Sequence, residues 1–295
     1  PDRDLPPESL VAVLSSTPYQ PSRGTSWLGR RPVEIPRKRI ESDSNATFAP
    51  LGRLKLARAV VESFRLLPAM IAAWLDLAIV FIGTIIYMHW FYLGYPSQGL
   101  AMLLLVSGPL VLVAGIIASL IPVLVKWLVV GVFRAGERTL FSTFVWRSEL
   151  ADNFVEPLAV PSLVRMSLGS PMFNMWARLM GTRIGRDVWC ESWWLPEFDL
   201  ITIEDRCTVN RGTVLQTHLF HDRVMSIEPV LLRQGSTLGP NSFLLPGASI
   251  GERSTIGPCS LVLRQDAIPS DSVWAGNPVQ RVTEPAPQAK KVRVS

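Results

Sequence analysis

Two of the three histidines stand together in the segment LQTHLFHDR, as His218 and His221, while His89 lies in an apolar stretch. Imidazole is the default general base at neutral pH, so a proton-abstracting step would be placed at this pair. A satisfied structural role is the alternative. Upstream, CESWWLPEFD (190–199) gathers Glu191, Glu197 and Asp199 around Trp193 and Trp194, and Asp222 follows His221 directly. Such carboxylates suit a cationic substrate and the rings could stack on it, although solvated loop charges and packed tryptophans would look the same. Asn210 either ladders along a repeat or belongs to the site. Other chemistries lack their residues. Cys190, Cys207 and Cys259 show no C-x2-C spacing and only two histidines are near, so no metal is expected and the cysteines should pack. A G-x-S-x-G elbow and a phosphate-cradling glycine loop are both missing, which leaves hydrolase and kinase readings unsupported.

The elements that must position these residues follow a period of six. Residues 232–279 divide into LRQGST, LGPNSF, LLPGAS, IGERST, IGPCSL, VLRQDA, IPSDSV and WAGNPV. An aliphatic or aromatic side chain opens each repeat, and the fifth position is small in Ser236, Ser242, Ala248, Ser254 and Ser260. This pattern predicts a parallel β-helix, with three repeats closing one triangular coil. Earlier repeats, IGRDVW (184–189) and IEDRCT, VNRGTV and LQTHLF (203–220), run in shifted registers. The spacing from Ile184 to Ile203 is one residue more than three repeats, and from Leu215 to Leu232 one fewer. Loops leave the solenoid at such slips, and the histidines and the acidic segment both sit at them.

Charge is distributed unevenly. The net +5 hides 49 consecutive residues, between Asp76 and Lys126, without Asp, Glu, Lys or Arg, whereas 181–281 holds 9 basic and 11 acidic side chains. Basic residues flank the apolar block and coat no domain, which excludes a nucleic-acid surface. The block reads as two spans joined by the short uncharged turn GYPSQG, each long enough for a hydrocarbon core of about 30 Å. Arg53, Lys55, Arg58 and Arg65 precede it and Lys126, Arg134, Arg138 and Arg147 follow it, so both flanks are expected on the cytosolic side of a lipid membrane.

PSRGTSWLGRRPV (21–33) echoes PSDSVWAGNPV (269–279), the end of the solenoid. With no initial Met, this suggests a piece of a longer chain. The expected organisation has the end of a preceding β-helix and a linker over 1–50 and a basic juxtamembrane helix over 51–65. A transmembrane hairpin then occupies 66–133, with spans near 68–93 and 100–125. Interfacial helices over 134–180, the hexapeptide domain over 181–282 and a disordered tail over 283–295 complete it.

The run from IEDRCTVNRGTVLQTHLFHD through SVWAGNPVQRV resembles hexapeptide acyltransferases of the galactoside and maltose acetyltransferase type. That resemblance implies a mainly β fold, a left-handed parallel β-helix, acyl-CoA lying along the wall between subunits of a trimer, and a histidine base nearest His221, with His218 the alternative. GTSWLGRRPVEIPRK, FVWRSEL, RLMGTRIGRDVWCESWWLPEFDLI and WAGNPV further resemble the C-terminal region of the ε-poly-L-lysine synthetase family, membrane-bound nonribosomal peptide synthetases. This second resemblance implies a condensing domain served by an adenylation domain and a carrier domain. The donor would be an aminoacyl thioester on a phosphopantetheine arm, with no intrinsically bound cofactor. Neighbouring β-helix copies would be tandem or trimeric. A CoA-dependent acetyltransferase tethered to the membrane and an inactive scaffolding copy are the competing readings.

Overall fold

The computed structural model describes residues 4–6, 9–11, 15–28, 32–35 and 43–282, and the expected tail after 282 lies outside the described residues. Helix α1 (Gly52–Ser63) passes through a 3-10 turn into α2 (Leu67–Tyr92), which is followed by α3 (Pro96–Val125) and a π-helical turn (Lys126–Val130). Prolines at the starts of α2 and α3 cost no hydrogen bond there, because the first N–H groups of a helix have no intrahelical acceptor. Both long helices are long and apolar enough to cross a membrane. Their large side chains, among them Phe81, Leu104 and Leu105, are exposed.

Three shorter helices join this hairpin to the solenoid: α4 (Thr143–Phe154), which continues into π-helical turns over Val155–Val164, then α5 (Arg165–Ser167) and α6 (Pro171–Met180). The apolar side chains of α4 are buried in protein: Val145 and Trp146 pack with Met225 and Ile227, and Phe154 packs with Ala118 of α3. Helix α6 starts after Ser170 and ends at Gly181, whose φ of +114° makes the left-handed cap. It plugs the open end of the solenoid. Phe173, Ala177 and Met180 extend the β-helix core, and Arg178 donates to the carbonyls of Ile184 (2.9 Å) and Gly185 (2.6 Å).

The solenoid has three parallel sheets. One stacks Arg183–Ile184, Ile201–Ile203, Val230–Leu232, Ser249–Ile250 and Ala267–Ile268; a second runs from Trp189–Cys190 through Thr237–Leu238 to Val273–Ala275; the third joins Val214–Leu215, Phe243–Leu244 and Leu261–Val262. The repeat-opening residues Leu232, Leu238, Leu244, Ile250, Ile256 and Val262 are fully buried, as are the small fifth-position residues Ser236, Ser242, Ser254 and Ser260. More described residues lie in helices than in strands, which corrects the mainly β expectation. Most repeats contribute strands of only two residues, the remainder turning the corners.

Leu215 stacks under Leu244 and Ile203 under Leu232, so the second and third coils are related by a whole turn plus an excursion. The extra chain is an antiparallel hairpin, His218–His221 with Val224–Ile227, whose second strand pairs with Gly136–Thr139. A period count cannot distinguish a deleted residue from a coil extended by a hairpin. The one-residue slip between Ile184 and Ile203 is seen directly as their pairing.

Coils approach closely where a glycine follows the inward aliphatic residue. A Cβ on Gly239 would lie 2.6 Å from the carbonyl carbon of Gly257 and from the nitrogen of Pro258. Gly239→Ala is therefore expected to lower stability by about 1–3 kcal/mol, the usual cost of overpacking, read as a lower Tm in a thermal melt.

Near the N-terminus, Leu10–Val11 pairs in parallel with Ser26–Leu28, which pairs antiparallel with Val33–Ile35. The end of the solenoid has the same plan, with Val273–Ala275 parallel to one neighbour and antiparallel to Gln280–Arg281. Trp27 Nε1 donates to Thr25 Oγ1 (2.8 Å) and Trp274 Nε1 to Ser272 Oγ (3.0 Å), the same contact two residues back.

Candidate active site

The chain leaves the second coil after Leu215, and the residues at that exit meet the aromatic loop of the first coil. His218, first in the hairpin, has Nδ1 2.8 Å from Glu197 Oε2. Glu197 is fully buried, with a left-handed backbone (φ +43°), and its carbonyl accepts from Leu200 N at 2.8 Å. A non-glycine residue holds that conformation only where its surroundings fix it. Thr217 does so: its Oγ1 lies within hydrogen-bonding reach of Glu197 Oε2 and of the Pro196 carbonyl (2.8 Å). Burying a carboxylate is costly without such partners, and Glu197 Oε1 has none among the described residues.

His218 opens onto a cavity of about 170 Å³. Its walls are apolar, from Val155, Trp193, Trp194, Leu195, Pro196 and Phe198. Its polar lining is Gln216, His218, Asp152 and Glu156. Helix α4 and the π-helical turns after it supply the two acids, and the coil exit supplies the histidine. Burial would push the His218 imidazole down in pKa, but the Glu197 hydrogen bond and charge, with Asp152 and Glu149 behind them, raise it on balance above the ordinary histidine value. Asp152 is pushed up to about 7 by burial and by the charges of Glu197, Glu149 and Glu156, with His218 opposing. With Nδ1 committed to Glu197, the imidazole retains Nε2 for a substrate proton, which is the arrangement a base–orienter pair requires.

The residues singled out in the sequence separate into distinct roles. His221 sits at the far end of its strand, beside a two-residue turn with φ of +46° at Asp222 and +60° at Arg223, and its Nε2 lies 3.2 Å from Asp222 Oδ2. Neither His221 nor Asp222 lines the cavity. Asn210 Nδ2 donates to the Leu238 carbonyl of the next coil at 2.6 Å, a laddering contact. Trp193 and Trp194, ring centroids 5.0 Å apart, form a wall shared with a second groove of about 570 Å³. That groove also holds Glu191, Arg165, Arg211 and Gly212. Asp199 is engaged elsewhere: its carboxylate pairs with the buried Lys126 ammonium (2.9 Å to Oδ2) and accepts from Phe133 N at 2.9 Å. Burial pushes the Cys190 thiol up to about 12 and raises Cys207, so neither supplies a thiolate near neutral pH.

Sequence reasoning missed Asp152 and Glu156. The signal was present in SELADNFVEP, where acids recur at 149, 152 and 156 on one helical face. Their distance along the chain from the histidines concealed it.

The chain thus joins a hexapeptide-repeat β-helix to a pair of long apolar helices, with a His–Glu pair where the second coil gives way to the hairpin. No family model matches it. It is similar to the delta-poly-L-ornithine synthetase of Acinetobacter baumannii (strain AB307-0294), 30% identical over 280 residues, which is 93% of this chain and 20% of that protein. The chain therefore spans about a fifth of the length of that curated relative. Among solved structures, a hexapeptide-repeat acetyltransferase of Vibrio cholerae aligns over 40% of this chain and 82% of its own, at 19% identity and a TM-score of 0.32. Galactoside acetyltransferase in complex with coenzyme A aligns over 41% of this chain and 75% of its own, at 19% identity and a TM-score of 0.31.

Proposed function

We propose that this chain is an acyltransferase-like condensing unit of a poly-amino-acid synthetase, forming an amide between an activated aminoacyl thioester and a free amine. The observation that carries the proposal is the buried Glu197 holding His218 Nδ1 at 2.8 Å beside an acid-lined cavity. In the step, the acceptor amine attacks the thioester carbonyl, a C–N bond forms and the C–S bond breaks. His218 Nε2 takes the proton that the nitrogen loses, and the leaving thiolate receives it. Holding both partners in place would supply much of the acceleration, on the order of 7–11 kcal/mol for well-oriented reactions.

The similarity to a poly-ornithine synthetase supports a cationic, lysine- or ornithine-type acceptor. The donor would be carried on the phosphopantetheine arm of a carrier domain, loaded by an adenylation domain of the parent synthetase. The groove beyond the tryptophan wall suits such an arm, with Arg165 and Arg211 to meet its phosphate. In this reading the solenoid is left-handed and the two long helices cross the bilayer with both flanks cytosolic. Residues 181–282 form the condensing domain. The strands near residues 10–35 close a preceding β-helix in a tandem or trimeric array, a view supported by the shared Trp27 and Trp274 contacts.

The test is to reconstitute the chain in lipid nanodiscs, supply a chemically loaded aminoacyl carrier and free lysine, and detect the dipeptide by mass spectrometry. Amide formation from the carrier-bound donor is expected. Amide formation only with acetyl-CoA would favour the CoA-dependent acetyltransferase, and no product with either donor would favour a scaffolding copy.

A further inference from the structure

We infer that Asp152 and Glu156 form the subsite for the second, non-reacting ammonium of a diamino acceptor, and so determine which acceptors the cavity takes. The inference rests on His218 acting as the base of the proposed amide-forming reaction.

The two acids lie one turn apart, at the end of α4 and the start of the π-helical turns, and line the same cavity as His218. Their neighbour Glu149 is already neutralised by Arg58 (3.1 Å) and Arg65 (2.7 Å). Among the described residues, neither the Asp152 nor the Glu156 carboxylate forms a hydrogen bond or an ion pair, and no Lys or Arg lines the cavity. The acids are joined there by two features that favour a cation independently. Trp193 and Trp194 line the cavity, and indole rings attract an ammonium. Beneath His218, the fully buried Glu197 adds a further carboxylate to the cavity's field.

A lone amine at His218 would leave Asp152 and Glu156 without a counter-charge beside the apolar wall of the cavity. An acceptor with two amines can present one to Nε2 and leave the other charged between Asp152 and Glu156. The state of Asp152 fits this division. Its carboxyl holds a proton up to about pH 7 because burial and neighbouring carboxylates disfavour the anion, and an arriving ammonium reverses that balance. The diamine would therefore bind with release of a proton from Asp152.

The experiment uses the loaded carrier as a fixed donor and compares three acceptors: lysine, norleucine with only the α-amine, and 6-aminohexanoic acid with only the terminal amine. The unaltered chain is expected to prefer lysine over both monoamines in kcat/KM. Asp152→Asn and Glu156→Gln together should reduce that preference by about tenfold or more, the scale of charged hydrogen bonds. Glu156 is exposed, so Glu156→Gln alone tests the point if the double variant fails to fold. Calorimetry of lysine binding at pH 7 in buffers of different ionisation enthalpy should show proton release, lost in Asp152→Asn. If the unaltered chain makes no amide with any acceptor, the proposed function fails. If it makes amide but the variants keep the full lysine preference and the proton release, the subsite is overturned while the reaction stands.

Discussion

Amide formation is expected to fall by about 10²–10⁴-fold in His218→Ala, the usual contribution of a positioned base, while His221→Ala retains most of the activity. The contrast follows from their surroundings. His218 has its Nδ1 fixed by a buried carboxylate and faces the cavity, whereas His221 pairs with Asp222 at a hairpin turn outside the cavity. A pH profile separates a catalytic role for His218 from a merely structural one. The base must be neutral to accept a proton, and Glu197, with Asp152 and Glu149 behind it, favours the imidazolium. The acid limb of the rate should therefore lie above the ordinary histidine value of about 6.5. Glu197→Gln removes the principal charge, so its limb should move to lower pH while kcat falls. Because the charges of Asp152 and His218 act on each other, the limb of the unaltered chain will report the interacting pair rather than one residue. The sign for stability is opposite. The His218–Glu197 interaction contributes fully below the unfolded pKa of about 6.5 and is lost as pH rises through the raised folded value. A limb unmoved by Glu197→Gln would refute the orienting role.

Loss of either partner in the Lys126–Asp199 pair should be the most damaging single change to the fold. Lys126 is 1% exposed, its Nζ lies 2.9 Å from Asp199 Oδ2, and it sits 3.4 Å from the centre of the Trp127 ring. The pair joins the end of the second long helix to the loop that carries Glu197. It also explains Gly181, since a Cβ there would lie 2.4 Å from Asp199 Oδ1 and 3.0 Å from Lys126 Nζ. Breaking a buried pair from one side leaves a charge without a partner, at a cost of about 3–5 kcal/mol. Asp199→Ala would additionally strip the Phe133 N–H of its acceptor. A thermal melt in detergent should show a large drop in Tm for Asp199→Ala and for Lys126→Ala. The double variant Lys126→Met with Asp199→Leu should recover much of it, because no isolated charge then remains. Equal, additive losses in the double variant would mean that the pair is not coupled.

Much of the architecture was legible before any coordinates. The six-residue period named both the inward Leu238, Leu244 and Ile250 and the small Ser236, Ser242 and Ser254, because a repeating backbone imposes the same steric demand at each turn. The stop of α6 at Gly181 was also readable, since a left-handed glycine cap is decided within a few residues. The count marked a loop leaving the coil between Leu215 and Leu232 but not its form, which is a hairpin. The strand content was overestimated because the period marks coils and not the length of each strand.

The site was legible only as a neighbourhood. His218, Glu197 and the tryptophans were all on the page, but their ranking was not. Glu197 meets His218 across 21 residues because one coil stacks on the next. Asp152 reaches the same cavity from a helix that packs against the solenoid, and Asp199 is drawn away to Lys126. By itself the sequence determined the repeating β-helix, the two long apolar helices and the caps between them, because periodicity, hydropathy and capping act over short stretches of chain. Only the tertiary structure decided which carboxylate meets His218, which acids line a cavity and which is spent on an ion pair. Those choices depend on burial and on the pairing of distant residues, which no local pattern encodes.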